Sequence, residues 1–254
     1  MQLTVMTYNI AGCRDLRFYP QKKLPVDPTG VGEVIKQYQP DICGLNEVDF
    51  GLPRSNRIYM AGELARLAGP YQSFFARAVT WEPGQYGNAM ITKHLLRSAE
   101  SIEIPDPEDK SEPTYYETRC VLKATVEVEG TPIRVLVTHF GLAKTEQASA
   151  VATLLPLIDE WDGPLLLMGD FNVIPTNPIL DPIRQRLQDT FDVHPDQNAH
   201  TFPSRPVIPC DTDPNGCKID YVFASKHFKV DSFDIPQVTP SDHLPCLVGL
   251  TLGE

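Results

Sequence analysis

Apolar and polar positions alternate from the start of the chain. LTVMTYNI, residues 3–10, repeats with a period of two and predicts a strand ending near Asn9. Further on the apolar residues run together, as they do in strands buried on both faces. DICGLNEVD (41–49), YGNAMITK (86–93), TRCVLKATVEV (118–128) and TPIRVLVTHFG (131–141) read this way, the last two separated by a hairpin-like turn at Glu129-Gly130. KIDYVFAS (218–225) and SDHLPCLVGLTL (241–252) follow late in the chain, after a mostly irregular stretch. Three segments have helical spacing instead. TGVGEVIKQYQ (29–39) follows Pro28 and is capped by Thr29, IYMAGELARLAG (58–69) is closed by Gly69, and KTEQASAVATLLPLIDEW (144–161) is amphipathic. Strands alternate with a few helices, but hairpins outnumber β-α-β units. The pattern predicts an α/β sandwich of mixed β-sheets with helices outside.

GPLLLMGDFNVIPTNP, residues 163–178, raises a question of its own. An apolar run entered after Gly-Pro and left through Gly169 reads as a buried strand, and it stops on Asp170 and Asn172. Side chains two apart on an extended chain point the same way, which puts this pair on one face at the strand's mouth. A carboxylate there costs several kcal/mol unless a cation or donor compensates it. The stretch by itself leaves two readings open, a polar turn bonding nearby backbone or a site.

Composition narrows the choice. The chain of 254 residues shows no linker, repeat or low-complexity tract, so one domain over 1–254 is expected. A formal charge of −11 argues against broad binding of nucleic acid, which relies on Lys/Arg patches. CRDLRFYPQKK (13–23) is locally basic and reads either as a phosphate-steering loop or as a solvated one. No apolar run is long enough to span a membrane, and the N-terminus has neither a basic n-region nor an h-region, so a cytoplasmic monomer is expected. The cysteines lack zinc spacing. Cys43, Cys120 and Cys246 lie in apolar segments as small core residues, whereas Cys210 and Cys217 bracket DTDPNG, a loop open to disulfide closure. DTDPNGCKIDYV opens like an EF-hand loop, but Val222 stands at position twelve where a glutamate belongs.

Side by side, the strand ends share a feature. Each finishes on, or carries, a polar group: Asn9, Glu47, Asn88, His139, Asp170 with Asn172, Asp220, and Asp242 with His243. Any one of them reads as a satisfied core or capping residue. Together they are what a cleft lined by strand ends requires. Carboxylate and amide oxygens suit Mg²⁺ or Mn²⁺, and histidines beside carboxylates suit proton transfer.

MTYNI, LNEVD, YGNAMITK, VTHFG, GDFN, KIDYVFAS and SDHLP occur in the order seen in the endonuclease/exonuclease/phosphatase superfamily, and from residue 3 to 252 the chain resembles that group. The resemblance implies a deoxyribonuclease I-like four-layer α/β sandwich with two packed mixed β-sheets. It also implies a Mg²⁺-dependent phosphoesterase acting by in-line attack of water. Carried over residue by residue, it makes Glu47 the principal metal ligand, with Asn9 beside it and Asp242 completing the site. His139 and His243 flank the scissile phosphate, and Asp220 orients His243. Asp170 positions or deprotonates the water, Asn172 holds a phosphate oxygen, and Asn88 and Arg119 bind phosphate. Arg119 is equally open to an ion pair with Glu117. TFPSRPVIPCDTD departs from the tryptophan-cysteine-aspartate-arginine signature of the inositol phosphatases. The segment around residues 48–69 resembles bacterial metal-dependent hydrolases of the superfamily. The expected substrate is a small-molecule or lipid-linked phosphate ester, with a DNA or RNA nuclease and a non-catalytic phosphate-binding module as alternatives. Trp81, Tyr86, Phe140 and Phe202 are candidates for an apolar rim.

Overall fold

The computed structural model describes residues 1–21, 23–194, 199–205 and 215–253. Lys22, Cys210 and residues 211–214 fall outside these, so the Cys210–Cys217 pairing and the first four positions of the EF-hand-like loop lie outside the described residues.

The described strands, numbered in chain order, form two six-stranded sheets. From edge to edge the first holds β11 (Phe228–Asp234), β12 (Cys246–Leu252), β1 (Gln2–Asn9), β2 (Ile42–Phe50), β4 (Gly84–Thr92) and β3 (Gln72–Trp81). The second holds β5 (Leu95–Ile104), β6 (Arg119–Val128), β7 (Thr131–His139), β8 (Leu165–Asp170), β10 (Asp220–Ala224) and β9 (Gln188–Asp189). Both sheets are mixed, because β1 pairs with β2 and β7 with β8 in parallel while the other pairs are antiparallel.

The period-two pattern sorts side chains into layers. Leu166, Met168, Val137 and Val222 meet Val5, Ile42 and Met90 between the sheets. Their chain neighbours Leu165, Leu167, Leu136 and Tyr221 point the other way and pack under α3 (Lys144–Asp159). On the far side Met6, Tyr8, Cys43 and Leu45 pack under α1 (Thr29–Tyr38) and α2 (Met60–Ala68). The result is the expected four-layer sandwich with helices outside. Among the described residues no helix is long and apolar enough to cross a membrane.

The predicted hairpin forms between β6 and β7, with Glu129 at φ +49° and Gly130 at φ +84°. Positive φ at both central residues is the geometry whose twist matches the flanking strands. Cys43, Cys120 and Cys246 are core residues. Thr29 differs from expectation. It is the first helical residue, preceded by Pro28, and its N–H is accepted by the Asp27 side chain, so it does not cap α1.

Register fixes the place of the polar strand ends. Asn9 pairs with Asn46 across β1 and β2. His139 pairs with Asp170 across β7 and β8, and Asp170 with Asp220 across β8 and β10. Three chemically active side chains therefore stand in one row of the second sheet. The row depends on Gly169, whose φ is +143° and where a Cβ would sit 1.9 Å from the Thr138 carbonyl oxygen. Only glycine allows β7 and β8 to approach so closely at the step before Asp170.

Candidate active site

Asn46 holds the two rows together. Its Nδ2 donates to Asn88 Oδ1 and to the Thr138 carbonyl, each at 2.8 Å, and its Oδ1 accepts from the Asp170 backbone N–H at 2.9 Å. Asn88 donates in turn to the Cys120 carbonyl at 2.9 Å. One buried amide chain thus ties β2 and β4 of the first sheet to β6, β7 and β8 of the second. Asn88, expected to bind phosphate, is used up in this tie beneath the cleft and does not line the cavity above it.

That cavity measures about 550 Å³ and is lined by Glu47, His139, Asp170, Asn172, Asp242 and His243, with Arg14, Arg54 and Arg119 around them. His139 and Asp170 of the row in the second sheet line it, with Asp220 buried behind them. His243 Nδ1 is 2.9 Å from Asp220 Oδ2, and its Nε2 is 3.7 Å from Asp170 Oδ2. Burial works against a positive charge on His243, but the Asp220, Asp170 and Asp242 carboxylates outweigh it and raise its pKa to about 10. Burial, and then the Asp220 charge, push Asp170 up to about 7. The other oxygen of Asp220, Oδ1, has no hydrogen-bond partner among the described residues, so its charge bears on the imidazole.

His139 is the opposite case. Burial, then Arg119, then His243 hold its pKa well below the usual histidine value, so it is neutral. Arg119 Nη1 lies 2.9 Å from His139 Nδ1. A guanidinium only donates, so Nδ1 accepts and the proton is on Nε2, which faces Asp170 Oδ2 at 3.5 Å. Arg119 also pairs with Glu117 at 2.7 Å, the ion pair expected as the alternative to phosphate binding, and it lines the cavity as well.

Asp170 and Asn172 reach the cavity by a different route from the one expected. β8 stops at Asp170, and Asn172 is left-handed, with φ +51°. Asp170 Oδ1 accepts the Asn172 backbone N–H at 2.9 Å, a local turn of the Asx kind. Asn172 Nδ2 donates to the Phe140 carbonyl at 2.9 Å and lies 3.2 Å from His139 Nε2. The polar turn forms, and both of its side chains also line the cavity.

Across the cavity, Glu47 sits where the β2–β4 register shifts, at φ +56°. This bulge turns its carboxylate out of the strand. Oε1 accepts from Asn9 Nδ2 at 3.2 Å and Oε2 from Arg14 Nη2 at 2.9 Å. Asn9 Nδ2 also reaches Asp170 Oδ2 at 3.0 Å, while Asn9 Oδ1 accepts the Ala11 N–H at 3.1 Å. The amide nitrogen of Asn9, not its oxygen, therefore faces the carboxylates, and Asn9 positions them where metal ligation had been expected of it.

Two groups of oxygen donors bear on where a cation fits. Asp170, Asp220 and His243 bring ligand atoms within 4.8 Å of one another. An ion among them would have to replace the proton between His243 and Asp220, and Asp220 is fully buried, away from the water that Mg²⁺ keeps in its shell. Glu47 and Asp242 instead line the open cavity as hard carboxylates, and they fit a hydrated divalent ion better.

Several contributors escaped the sequence reading. Asn46 was visible only as an amide inside an apolar strand. Arg14 stood in a basic loop with no indicated partner. Asp49, buried, clamps Arg54 through two bonds of 2.9 and 2.7 Å, and Arg54 covers the stacked Trp81 and Tyr86 rings at 4.9 and 5.4 Å. Trp81, Tyr86 and Phe202 line the cavity, whereas Phe140 is a core residue packed against Phe171 with the rings tilted at 43°.

The model of the Endonuclease/Exonuclease/phosphatase family matches residues 6–243. A search of curated proteins finds no match. Among solved structures, an endonuclease/exonuclease/phosphatase from Beutenbergia cavernae superposes with a TM-score of 0.77 at 24% identity, covering 99% of this chain and 72% of that one. A mannosyl-6-phosphatase from Bacteroides thetaiotaomicron gives 0.75 at 18% identity, covering 98% and 100%. The human Nocturnin catalytic domain with bound sulfate gives 0.68 at 20% identity, covering 99% and 94%.

Proposed function

The chain belongs to the endonuclease/exonuclease/phosphatase family, and from that premise we propose that it is a Mg²⁺-dependent hydrolase of small phosphate esters, with Mn²⁺ as a working substitute. The observation that carries this reading is that Glu47, Asp242, His139, Asp170 and His243 line one cavity, with Asp220 buried behind His243. Glu47 and Asp242 hold the ion, which supplies charge neutralisation at the phosphoryl oxygens. Asn9 keeps Glu47 and Asp170 in place.

Asp170 is the general base. Its pKa of about 7 matches a neutral working pH, the condition under which a base is most effective. His139 is a poor candidate for that role, because its Nδ1 already accepts from Arg119 and a second proton is opposed by burial and two neighbouring charges. It serves as a donor through Nε2–H. His243, charged and backed by Asp220, lies where negative charge grows on the phosphoryl group, and Asn172 and Arg119 supply further donors. Water attacks in line, and no covalent intermediate is required.

Cavity size and charge favour a compact ester over a polymer. About 550 Å³ is within the usual range for small ligands. Arg14, Arg54 and Arg119 each already face an acid, which leaves Lys23 as the lining lysine or arginine with no acidic partner among the described residues, too little positive charge to track a nucleic-acid backbone. The likeness to the mannosyl-6-phosphatase supports a phosphomonoester as the first substrate class to try.

The test is hydrolysis of p-nitrophenyl phosphate and bis(p-nitrophenyl) phosphate with Mg²⁺, Mn²⁺ or EDTA, for the wild type, Asp170→Asn and Glu47→Ala, beside a plasmid-nicking assay. Turnover that needs the metal and is lost in both variants is expected. Turnover that ignores EDTA, or nicking with no hydrolysis of the small esters, overturns the proposal.

A further inference from the structure

Arg14 reaches Glu47 by an unusual path. After β1 the chain makes a buried turn in which Ala11, Gly12 and Cys13 all have positive φ, at 50°, 62° and 54°. Consecutive left-handed residues are disfavoured for L-amino acids, and such backbone persists only where its surroundings hold it. Here they do: Ala11 N–H is accepted by Asn9 Oδ1 at 3.1 Å, Cys13 N–H by the Ile10 carbonyl at 2.7 Å, and the Cys13 carbonyl accepts from Asp27 N–H at 2.9 Å. The turn aims Arg14. Its Nε donates to the Ala11 carbonyl at 2.6 Å and its Nη2 to Glu47 Oε2 at 2.9 Å. Glu47 is left-handed as well, so strained backbone delivers both partners of this ion pair.

The pair occupies the carboxylate that the proposed function gives to a divalent cation. Both Glu47 oxygens already accept a hydrogen bond, one from Asn9 and one from Arg14. A dication on Oε2 would repel the guanidinium, so the two compete for the same oxygen. The other cavity arginines are not built to move. Arg54 is clamped twice by Asp49 and seated on two rings, and Arg119 is nearly buried between Glu117 and His139. The Arg14 side chain is about half exposed, at 48%, and holds Glu47 through a single bond. Arg14 lines the same cavity as Arg119, His139 and Asn172, where the proposed function places the phosphoryl group.

We propose that Arg14 is a conditional phosphate-binding residue. It holds Glu47 in the metal-free protein, and a divalent ion arriving at Glu47 releases it to bind a phosphoryl oxygen, a task that the planar guanidinium suits. The inference rests on the metal placement proposed above. It couples the two ligands: the ion opens the anion site, and a bound anion, by holding Arg14 away, strengthens ion binding by the same factor.

Binding measurements without turnover test it. Mn²⁺ affinity is read by electron paramagnetic resonance of the free ion, and inorganic phosphate binding to the Mn²⁺-loaded protein by calorimetry. The proteins are the wild type, Arg14→Met, Arg14→Lys and Glu47→Gln, each checked by thermal melting. Arg14→Met is expected to bind Mn²⁺ about two- to fivefold more tightly, the range released by a partly exposed ion pair. The same variant is expected to bind phosphate about tenfold more weakly once loaded, the loss of a charged hydrogen-bond donor. Arg14→Lys, which keeps the charge and the turn, falls between the two. Unchanged or weaker Mn²⁺ binding in Arg14→Met overturns the competition, and unchanged phosphate binding overturns the release. Glu47→Gln separates the two levels of the argument. If it binds Mn²⁺ as the wild type does, the ion is not at Glu47, and the metal placement fails together with this inference. If it loses Mn²⁺ while Arg14→Met is silent, only the inference fails.

Discussion

Asp220→Asn changes one charge at the centre of the site and little else. The amide is nearly isosteric with the carboxylate, and its oxygen can still accept the His243 Nδ1–H now held at 2.9 Å. What disappears is the negative charge that does most to sustain the imidazolium. Burial opposes the charge on His243, and Asp220 is the largest of the influences that overcome it, ahead of Asp170 and Asp242. Removing a single opposite charge at this distance lowers a pKa by about 1–3 units. His243, at about 10 in the wild type, should therefore titrate between about 7 and 9 in the variant. Asp170 moves in the same direction, since Asp220 is the main charge raising it towards about 7.

Two measurements check this. In the metal-free protein, the ring-carbon NMR shift of His243 gives its titration directly. In the Mg²⁺-loaded enzyme, kcat/KM against pH should be bell-shaped for the wild type, rising as Asp170 loses its proton and falling as His243 loses its own. In Asp220→Asn both limbs should move to lower pH, the alkaline one further. The variant then loses much more activity at pH 9 than at pH 6.5. A packing defect would instead scale the whole bell down without moving it. An unmoved alkaline limb, or a His243 titration that stays where it is, would refute the assignment of His243 as the charged partner.

The same shift bears on stability. The folded pKa of His243 lies above its ordinary 6.5, so its contribution is fully present below that value and is lost as pH rises through about 10. The thermal midpoint should fall across that window, and Asp220→Asn should flatten the fall; parallel curves for the two proteins would count against it. Asn46→Ala leaves Asn88 Oδ1, the Thr138 carbonyl and the Asp170 N–H without their shared partner. At about 1–3 kcal/mol for each unsatisfied group, partly recovered by water, a loss of about 3–5 kcal/mol is expected, or roughly 10 °C in melting temperature. A loss below about 1 kcal/mol would show that the tie is dispensable. Gly169→Ala drives a Cβ to 1.9 Å from the Thr138 carbonyl oxygen, and the protein should fail to accumulate or melt far lower. A melting point within about 2 °C of wild type would contradict the argument from close approach.

The strands legible in the sequence and those that were not divide along a physical line. β1, β2, β4, β6, β7, β8, β10 and β12 were all visible as apolar runs or clean alternation, and all are interior to their sheets. β3, β5, β9 and β11, which went unread, are the four edges. β5 shows why. LLRSAESIEI is exposed or half-buried at every position but the last, so it carries scarcely any hydrophobic signal and is held in place by pairing with β6. Interior strands announce themselves through burial on both faces. An edge strand is specified by its neighbour's backbone, which no local pattern records.

The same reasoning separates the site residues. Asp170, Asp220, His139 and His243 were readable because a charged or titratable group in an apolar strand is costly and therefore conspicuous. Asn46 lies just as deep, but an amide that makes all its bonds is an ordinary buried residue, and its partners are far off in sequence, at Asn88, Thr138 and Asp170. The placement of Asn88 and Asn9 was out of reach for a related reason. Residue type told that an amide stood at the strand end, but only the packed sheets decide whether its oxygen or its nitrogen faces the cavity, or whether it faces the cavity at all. Arg14 was harder still. Its meaning depends on two left-handed turns, at residues 11–13 and at Glu47, that bring distant parts of the chain face to face. The first turn does not rest on Gly12 alone and the second has no glycine, since Ala11, Cys13 and Glu47 all take up conformations their side chains disfavour. A propensity argument would have ruled out these conformations, and the fold uses them to bring Arg14 against Glu47.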